Sequence, residues 1–164
     1  MDCIDRGCLC WRCKSHSTGC SWNKWKWYCP EDSEATYADF ETKINVPSGS
    51  TVELENDYKY IDTDNTYINL NHVNLTIDGK AKSIDGNSKA GFLNITNHSY
   101  VTIKNLLVKN CNKSSLFVVN SKLTLINVTF ENNYDVESGA AINASSSNVT
   151  STDNKFLNNY APSG

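Results

Sequence analysis

Long apolar segments are missing from this chain of 164 residues. A membrane-spanning helix needs roughly 18–20 consecutive apolar residues, and no stretch comes near that length, so we expect no membrane span. Residues 1–30 also lack the apolar segment of a signal peptide. If the protein is exported, this absence predicts that its native start lies upstream of Met1 or that the start is misplaced.

Clustered positive charge is also missing. Residues 31–164 contain ten Lys against sixteen Asp and Glu, and the only two arginines of the chain are Arg6 and Arg12. Nucleic-acid binding needs a basic face that neutralises phosphates. The composition therefore excludes nucleic acid as a partner.

A wide leucine core and helical crossovers are excluded as well. No ten-residue amphipathic segment follows residue 45, whereas asparagine occurs 22 times in the whole chain. An unpaired buried amide costs about 1–3 kcal/mol. The chain thus needs an architecture in which many short polar side chains find repeated hydrogen-bond partners.

Such an architecture is indicated by a repeat. Four Val/Leu-Thr pairs begin at Leu75, Val101, Leu123 and Val149, at spacings of 26, 22 and 26 residues. Each unit contains short runs of alternating apolar and polar residues between turn residues, so no unit can bury its own apolar face. Units that stack and pair their strands in parallel can do so. We predict an all-β fold, a right-handed parallel β-helix of about 4–5 coils.

This register assigns inward and turn positions. The predicted core residues are Leu75, Ile77, Val101, Ile103, Val108, Leu123, Leu125, Phe130, Val149 and Phe156. Amide ladders or turns, with side chains bonded from coil to coil, are predicted at Asn105, Asn127, Asp153, Asn110, Asn132 and Asn158. Leucine-rich repeats have units of similar length, but they need several leucines at fixed offsets, which these units lack. The β-helix is therefore the fold that remains.

Three segments follow from these patterns: residues 1–30, rich in Cys and Trp; a capping helix in 31–45; and the coils in 46–164. Tyr37, Phe40 and Ile44 share one helical face, and Asp32 or Ser33 can cap its N-terminus. We expect this helix to cover one edge of the stack, since uncovered strand edges invite association. The open coil ends are accordingly predicted to self-associate.

The body resembles known surface proteins. VPSGSTVEL (46–54), VTIKNLLVKN (101–110) and LTLINVTFENN (123–133) resemble the opening coils of adhesin-like surface proteins of methanogenic archaea. FLNN (156–159) and GAAI (139–142) are similar to the FxxN and GGA[IL] repeats of chlamydial-type polymorphic outer-membrane proteins. The resemblance, over residues 36–164, implies a pectin-lyase-like β-helix, further coils beyond Gly164, and a non-catalytic surface stalk that contacts host or cell-surface glycans or proteins.

The same superfold includes polysaccharide lyases and hydrolases, which makes an enzyme fragment the alternative. The resemblance implies that a lyase would use an arginine, yet both arginines lie outside the coils. A hydrolase would need converging carboxylates. The candidates sit in Asp-Gly turns or a polar loop, which favours turns, and we expect no catalytic residues; they are Asp62, Asp64, Asp78 and Asp85. Asp62, Asp64 and Asn65 also form a partial Ca²⁺ pattern.

Residues 1–30 leave several interpretations open. Their six cysteines can form three disulfides, or some can bind Zn²⁺ with His16, or the segment is a non-native leader. These cysteines are Cys3, Cys8, Cys10, Cys13, Cys20 and Cys29. Trp22, Trp25 and Trp27 either pack this head or stack on sugar rings, which makes a carbohydrate-binding module a further alternative. Otherwise we expect no cofactor.

Seven N-x-[ST] sequences fit a secreted or cell-surface protein. They begin at Asn74, Asn94, Asn97, Asn112, Asn127, Asn143 and Asn148. We expect Asn94 and Asn127 to face the stack and to escape modification. Cys111 is expected to be a small buried apolar residue.

Overall fold

The computed structural model describes residues 21–23, 26–28 and 34–162. These belong to two compact units, residues 1–33 and 34–164. The second unit is a parallel β-solenoid of about five turns with one short helix. The predicted fold class is thereby confirmed.

The first unit is described only through one antiparallel strand pair, β1 (Ser21–Asn23) and β2 (Lys26–Tyr28). Trp22 and Trp27 lie opposite each other in this pair. Trp25 is outside the described residues. The predicted disulfide or zinc ligands also lie outside them: Cys3, Cys8, Cys10, Cys13, Cys20 and Cys29.

In the second unit, each coil contributes short strands to two parallel sheets. Its described elements are β3 (Ala35–Thr36), α1 (Tyr37–Ile44), β4 (Ser50–Glu53), β5 (Tyr58–Lys59), β6 (Ile68–Asn71), β7 (Asn74–Asp85), β8 (Leu93–Thr96), β9 (Tyr100–Lys109), β10 (Leu116–Val119), β11 (Lys122–Glu131), β12 (Ile142–Ser145), β13 (Asn148–Thr152) and β14 (Lys155–Leu157). One sheet has the order β12-β10-β8-β6. The other runs β13-β11-β9-β7-β5-β3, with β14 beside β11 and β4 beside β7.

The strand register is the repeat seen in the sequence. Leu75, Val101, Leu123 and Val149 are partners in successive coils. Alternate side chains point inward along the strands, as the period of two requires. This alternation is interrupted inside β9 and β11 at the left-handed residues Asn105 and Asn127, after which it starts again. Each coil therefore buries its apolar face against the next.

Helix α1 covers the first coil. Its N-cap is Thr36, whose hydroxyl accepts the Asp39 N–H while the Asp39 carboxylate accepts the Thr36 N–H. This reciprocal capping box satisfies two N–H groups that have no partner inside the helix. The predicted caps at Asp32 and Ser33 are thus wrong. Tyr37, Phe40 and Ile44 are buried, as their shared face requires.

The interior is a continuous column of apolar side chains. Of the predicted core residues, Val149 is partly buried against this column. Phe156 was expected inside but is 51% exposed, because no described coil covers the last one. The others are buried: Leu75, Ile77, Val101, Ile103, Val108, Leu123, Leu125 and Phe130.

Left-handed residues form the corners of the coils. All six predicted ladder or turn residues have φ between 53° and 54°. Asparagine and aspartate tolerate this region better than other side chains. The six are Asn105, Asn110, Asn127, Asn132, Asp153 and Asn158.

Candidate functional site

One corner joins the two sheets through stacked serines. We call residues 72–74, 98–100, 120–122 and 146–148 the serine corner. In each coil the first of these residues has a φ between 48° and 60°, which turns the chain from one sheet into the other. The residue after it points inward. Those residues are Val73, Ser99, Ser121 and Ser147.

The serine hydroxyls bond from coil to coil. Ser99 Oγ accepts the Val73 N–H at 3.2 Å, Ser121 Oγ accepts the Ser99 N–H at 3.2 Å, and Ser147 Oγ accepts the Ser121 N–H at 3.1 Å. Each hydroxyl donates to a backbone carbonyl of its own turn, such as Ser99 to Thr96 at 2.6 Å. A hydroxyl whose proton is donated to a carbonyl is not activated by a base. The serines are structural.

A groove of about 590 Å³ lies over this corner and spans three coils. Ser99 and Ser121 are buried beneath it, whereas Tyr100 is 57% exposed. Tyr100, Lys122 and Asn148 are register partners, so they form one outward column along the groove. The remaining lining residues are His98, Asn120, Ser146 and Ser147.

The groove offers an aromatic face, amides and one ammonium group to solvent. An exposed ring with flanking polar groups suits a ligand that has both apolar faces and hydroxyl edges, which is the character of a sugar. None of the lining residues is a carboxylate. The arrangement can therefore bind and orient, but it lacks the paired acids of a glycoside hydrolase.

A second corner contains an amide ladder. Asn127 Nδ2 donates to Asn105 Oδ1 at 3.0 Å, and Asn105 Nδ2 donates to Asp78 Oδ1 at 3.0 Å. Asn110 Nδ2 donates to Asp85 Oδ1 at 3.2 Å in the same manner. Hence three of the six predicted positions bond to a neighbouring coil through their side chains.

Asp78 is buried at the foot of this ladder and is 5% exposed. Burial raises the pKa of its carboxyl, but hydrogen bonds from Asn105, the Lys80 N–H and Lys104 outweigh that effect and hold the pKa below its ordinary value. Lys104 Nζ lies 3.3 Å from Asp78 Oδ2. The next position requires glycine, Gly79, because a Cβ there would clash with the Asn105 carbonyl and lie only 2.8 Å from Leu106 Cα.

A further amide ladder, formed by the buried side chain of Asn133 and its neighbour Asn159, was not predicted from the sequence. Asn133 is 1% exposed, and its Oδ1 accepts the Cys111 N–H at 2.9 Å. Its Nδ2 donates to Asn159 Oδ1 at 2.8 Å and to the Val108 carbonyl at 3.2 Å. The signal was the paired asparagines 132–133 and 158–159, whose second members turn inward after the left-handed residue.

The other candidate carboxylates are occupied by structural contacts. Asp62 forms a salt bridge with Lys89 at 2.7 Å. Asp64 Oδ2 accepts the backbone N–H groups of Ile61 and Tyr37, and Asp85 Oδ1 accepts that of Asn87. These are turn contacts, and within residues 34–162 no group of three or more His, Cys, Asp or Glu is placed to hold a metal ion.

Cys111 lies in the core column at 2% exposure. Burial raises the pKa of its thiol to about 12, opposed in part by a hydrogen bond with Ser115. A thiol with such a pKa has almost no thiolate at neutral pH. It is therefore an unsuitable nucleophile.

The predicted inward orientation of two N-x-[ST] asparagines, Asn94 and Asn127, is wrong. Asn127 is exposed at its corner, and Asn94 lies half-buried on the outer face of β8 between two inward residues, Leu93 and Ile95. Asn94 Nδ2 donates to Asn69 Oδ1 at 2.8 Å. Of the other five, Asn143 is half-buried and the following are exposed: Asn74, Asn97, Asn112 and Asn148.

Fold and surface together define a parallel β-solenoid with outward polar columns. Residues 7–163 match the family described as right handed beta helix region, and the chain belongs to that family. No curated protein and no solved structure matches the chain. No helix in the described part of the chain is long and apolar enough to cross a membrane.

Proposed function

We propose that this chain is a non-catalytic β-helix segment of a secreted or cell-surface adhesin-like protein that contacts glycans. The groove over the serine corner carries the proposal. It places the exposed ring of Tyr100 beside Lys122 and Asn148 on a rigid face of stacked coils. A rigid site loses little conformational freedom when a ligand binds.

Stacking supports a role as a stalk. From β6 onward each coil adds strands to both sheets, about 4.8 Å further along the axis, and pairs in parallel with the coil before it. Phe156 and Leu157 are exposed on the last described coil, at 51% and 44%. We expect self-association at this uncovered edge, because unpaired strand edges accept further strands.

The absence of catalysis is part of the proposal. Within the described chain, Asp62, Asp64, Asp78 and Asp85 are held by backbone N–H groups, amides or lysines rather than by one another. No carboxyl group lines the groove. Incubation of the folded chain with pectin, polygalacturonate and surface glycans should yield no new reducing ends and no unsaturated product, and turnover of any of them would refute a non-catalytic role.

Glycan contact is tested by comparing two exposed tyrosines. Tyr100 in the groove and Tyr160 outside it are 57% and 61% exposed, so they form a matched pair. On a glycan array, Tyr100→Ala should weaken the binding shown by the unmodified chain, and Tyr160→Ala should retain it. A nucleic-acid base stacked on an aromatic ring is worth about 1–3 kcal/mol by alanine substitution, and a stacked sugar of similar size should accordingly lose about 5- to 150-fold in Kd.

A carbohydrate-binding module in residues 1–30 predicts a different outcome. Trp22 and Trp27 are opposite each other in the β1-β2 pair. If Trp22→Ala removes glycan binding while Tyr100→Ala leaves it intact, the ligand lies on the first unit and the groove is not the site.

A further inference from the structure

Negative charge is excluded from the faces around the serine corner. Residues 34–162 contain fourteen Asp and Glu. None lies in the serine corner or in the strand residues that flank it, which are 71–76, 96–102, 119–124 and 145–150. The same four segments contain His72, His98 and Lys122. The segments of the serine corner therefore present no carboxylate of their own to an approaching anion, although the chain as a whole is acidic.

The ammonium group of Lys122 supplies the positive charge of that surface. Six lysines elsewhere in the described chain form salt bridges with Asp or Glu: Lys43, Lys59, Lys80, Lys89, Lys104 and Lys109. Lys122 forms none with any described residue, since no carboxylate is near it. Its ammonium charge is therefore available to a ligand.

The strand register sets where that charge acts. Lys122 follows Tyr100 by one coil in the outward column, and Asn148 follows Lys122 by one more. Coils are about 4.8 Å apart. A sugar ring stacked on Tyr100 therefore brings its substituents beside the ammonium group and within reach of the next amide.

We propose that the groove selects acidic glycans, with Lys122 binding a sugar carboxylate next to the ring that stacks on Tyr100. The inference rests on the proposed glycan contact and adds its substrate class. Charge gives discrimination between ligands more than raw affinity at an exposed site. We therefore expect Lys122 to make an acidic sugar bind more tightly than a neutral sugar of the same shape.

The test uses a matched pair of ligands. A cello-oligosaccharide and the oligomer of equal length whose primary alcohols are oxidised to carboxylates share one backbone and differ only at C6, which is a neutral hydroxymethyl group in one and a carboxylate in the other. Titration of the full chain should give tighter binding of the oxidised oligomer, by about two- to fivefold as for an exposed ion pair. Lys122→Gln should remove this preference, and added salt should have the same effect.

Lys155→Gln is the control. Lys155 is exposed, forms no salt bridge within the described chain, and lies in β14 away from the groove. It should retain the preference for the acidic oligomer. Equal loss in both variants would show a general effect of net charge and overturn the assignment to Lys122.

Failure of this inference can be separated from failure of glycan binding. If both oligomers bind equally in a Tyr100-dependent manner and Lys122→Gln changes nothing, the groove binds glycans without selecting acids, and only the inference falls. If neither oligomer binds and the glycan array is empty, both proposals are refuted.

Discussion

Phe130 and Phe156 are partners in adjacent coils, with ring centroids 5.3 Å apart and ring planes 9° from parallel, yet one is buried and the other exposed. Phe130 is 0% exposed and Phe156 is 51% exposed. Phe130→Ala should lower the free energy of unfolding by about 3–5 kcal/mol, because it opens a cavity in the core. Phe156→Ala should lower it by about 1 kcal/mol, as expected for half of a side chain's burial.

Urea unfolding of both variants, followed by circular dichroism, measures this difference. The wild-type chain under identical conditions is the reference. Losses of equal size would mean that Phe156 is covered in solution, by a second copy or by another part of the chain.

A buried amide is expected to matter more than an exposed one. Asn133→Ala leaves the Cys111 N–H without its acceptor, whereas Asn159 Oδ1 loses the Asn133 Nδ2 donor but keeps the backbone N–H of residue 133. The free energy of unfolding should fall by about 1–3 kcal/mol, which is the cost of one buried unpaired group. The same urea titration provides the value.

Asn112 supplies the control for this substitution. It is exposed, and Asn112→Ala should stay within about 0.5 kcal/mol of the wild-type chain. Should the two alanine variants unfold at the same urea concentration, the Asn133 ladder would contribute nothing that water cannot replace.

The fold could be predicted from the sequence because the sequence repeats once per coil. The alignment on Leu75, Val101, Leu123 and Val149 is the strand register itself. Parallel stacking places equivalent residues above one another, so a sequence period becomes a spatial column. The two-residue period of side-chain direction along a strand then determines which residues point into the core.

Details at the corners and ends did not follow in the same way. A left-handed residue such as Asn132 turns the chain so that its successor, Asn133, points inward, and strict alternation cannot show this. Likewise Asp32, Ser33 and Thr36 are all competent helix caps, but only Thr36 has an acidic residue, Asp39, three positions later to complete a capping box. Exposure of Phe156 depends on what lies above its coil, which a repeat pattern does not contain.

The sequence also did not show that the residues of the groove lie close together. Tyr100, Lys122 and Asn148 are far apart in sequence and belong to no motif with a known spacing. They meet because they occupy the first position of three successive strands. Once the register is known, reading the sequence down a column rather than along a strand would reveal the site.

Asp78 should make stability depend on pH at the acidic end. Its pKa is lowered in the folded chain, where burial is outweighed by Asn105, the Lys80 N–H and Lys104. A carboxyl with a lowered folded pKa stabilises the fold fully above its unfolded pKa. This contribution disappears as pH falls through the folded value.

The variant Asp78→Asn cannot titrate and lacks this contribution at every pH. Its free energy of unfolding should be lower than wild type at neutral pH, and the gap should narrow as the solution is acidified below the ordinary aspartate range. Urea titrations across that range measure the gap. A gap independent of pH would mean that Asp78 acts through shape and hydrogen bonding alone.

Asn127 separates two roles that asparagine plays at a corner, backbone conformation and side-chain bonding. Its φ is 53°, and its Nδ2 donates to Asn105 Oδ1 at 3.0 Å on the exposed edge. Asn127→Gly removes the bond but suits the left-handed conformation, so a loss of at most about 1 kcal/mol is expected. Asn127→Val removes the bond and strains the backbone as well, for a loss of about 1–3 kcal/mol beyond that of glycine.

Thermal and urea unfolding of the two variants decide between these roles. If conformation dominates, glycine stays close to wild type while valine unfolds well before it. If instead both variants lose the same amount, the bond to Asn105 is the stabilising element and the left-handed turn is a consequence of it. Because Asn105 and Asn110 share this φ and also donate through Nδ2 to a neighbouring coil, the result at Asn127 applies to these two positions as well.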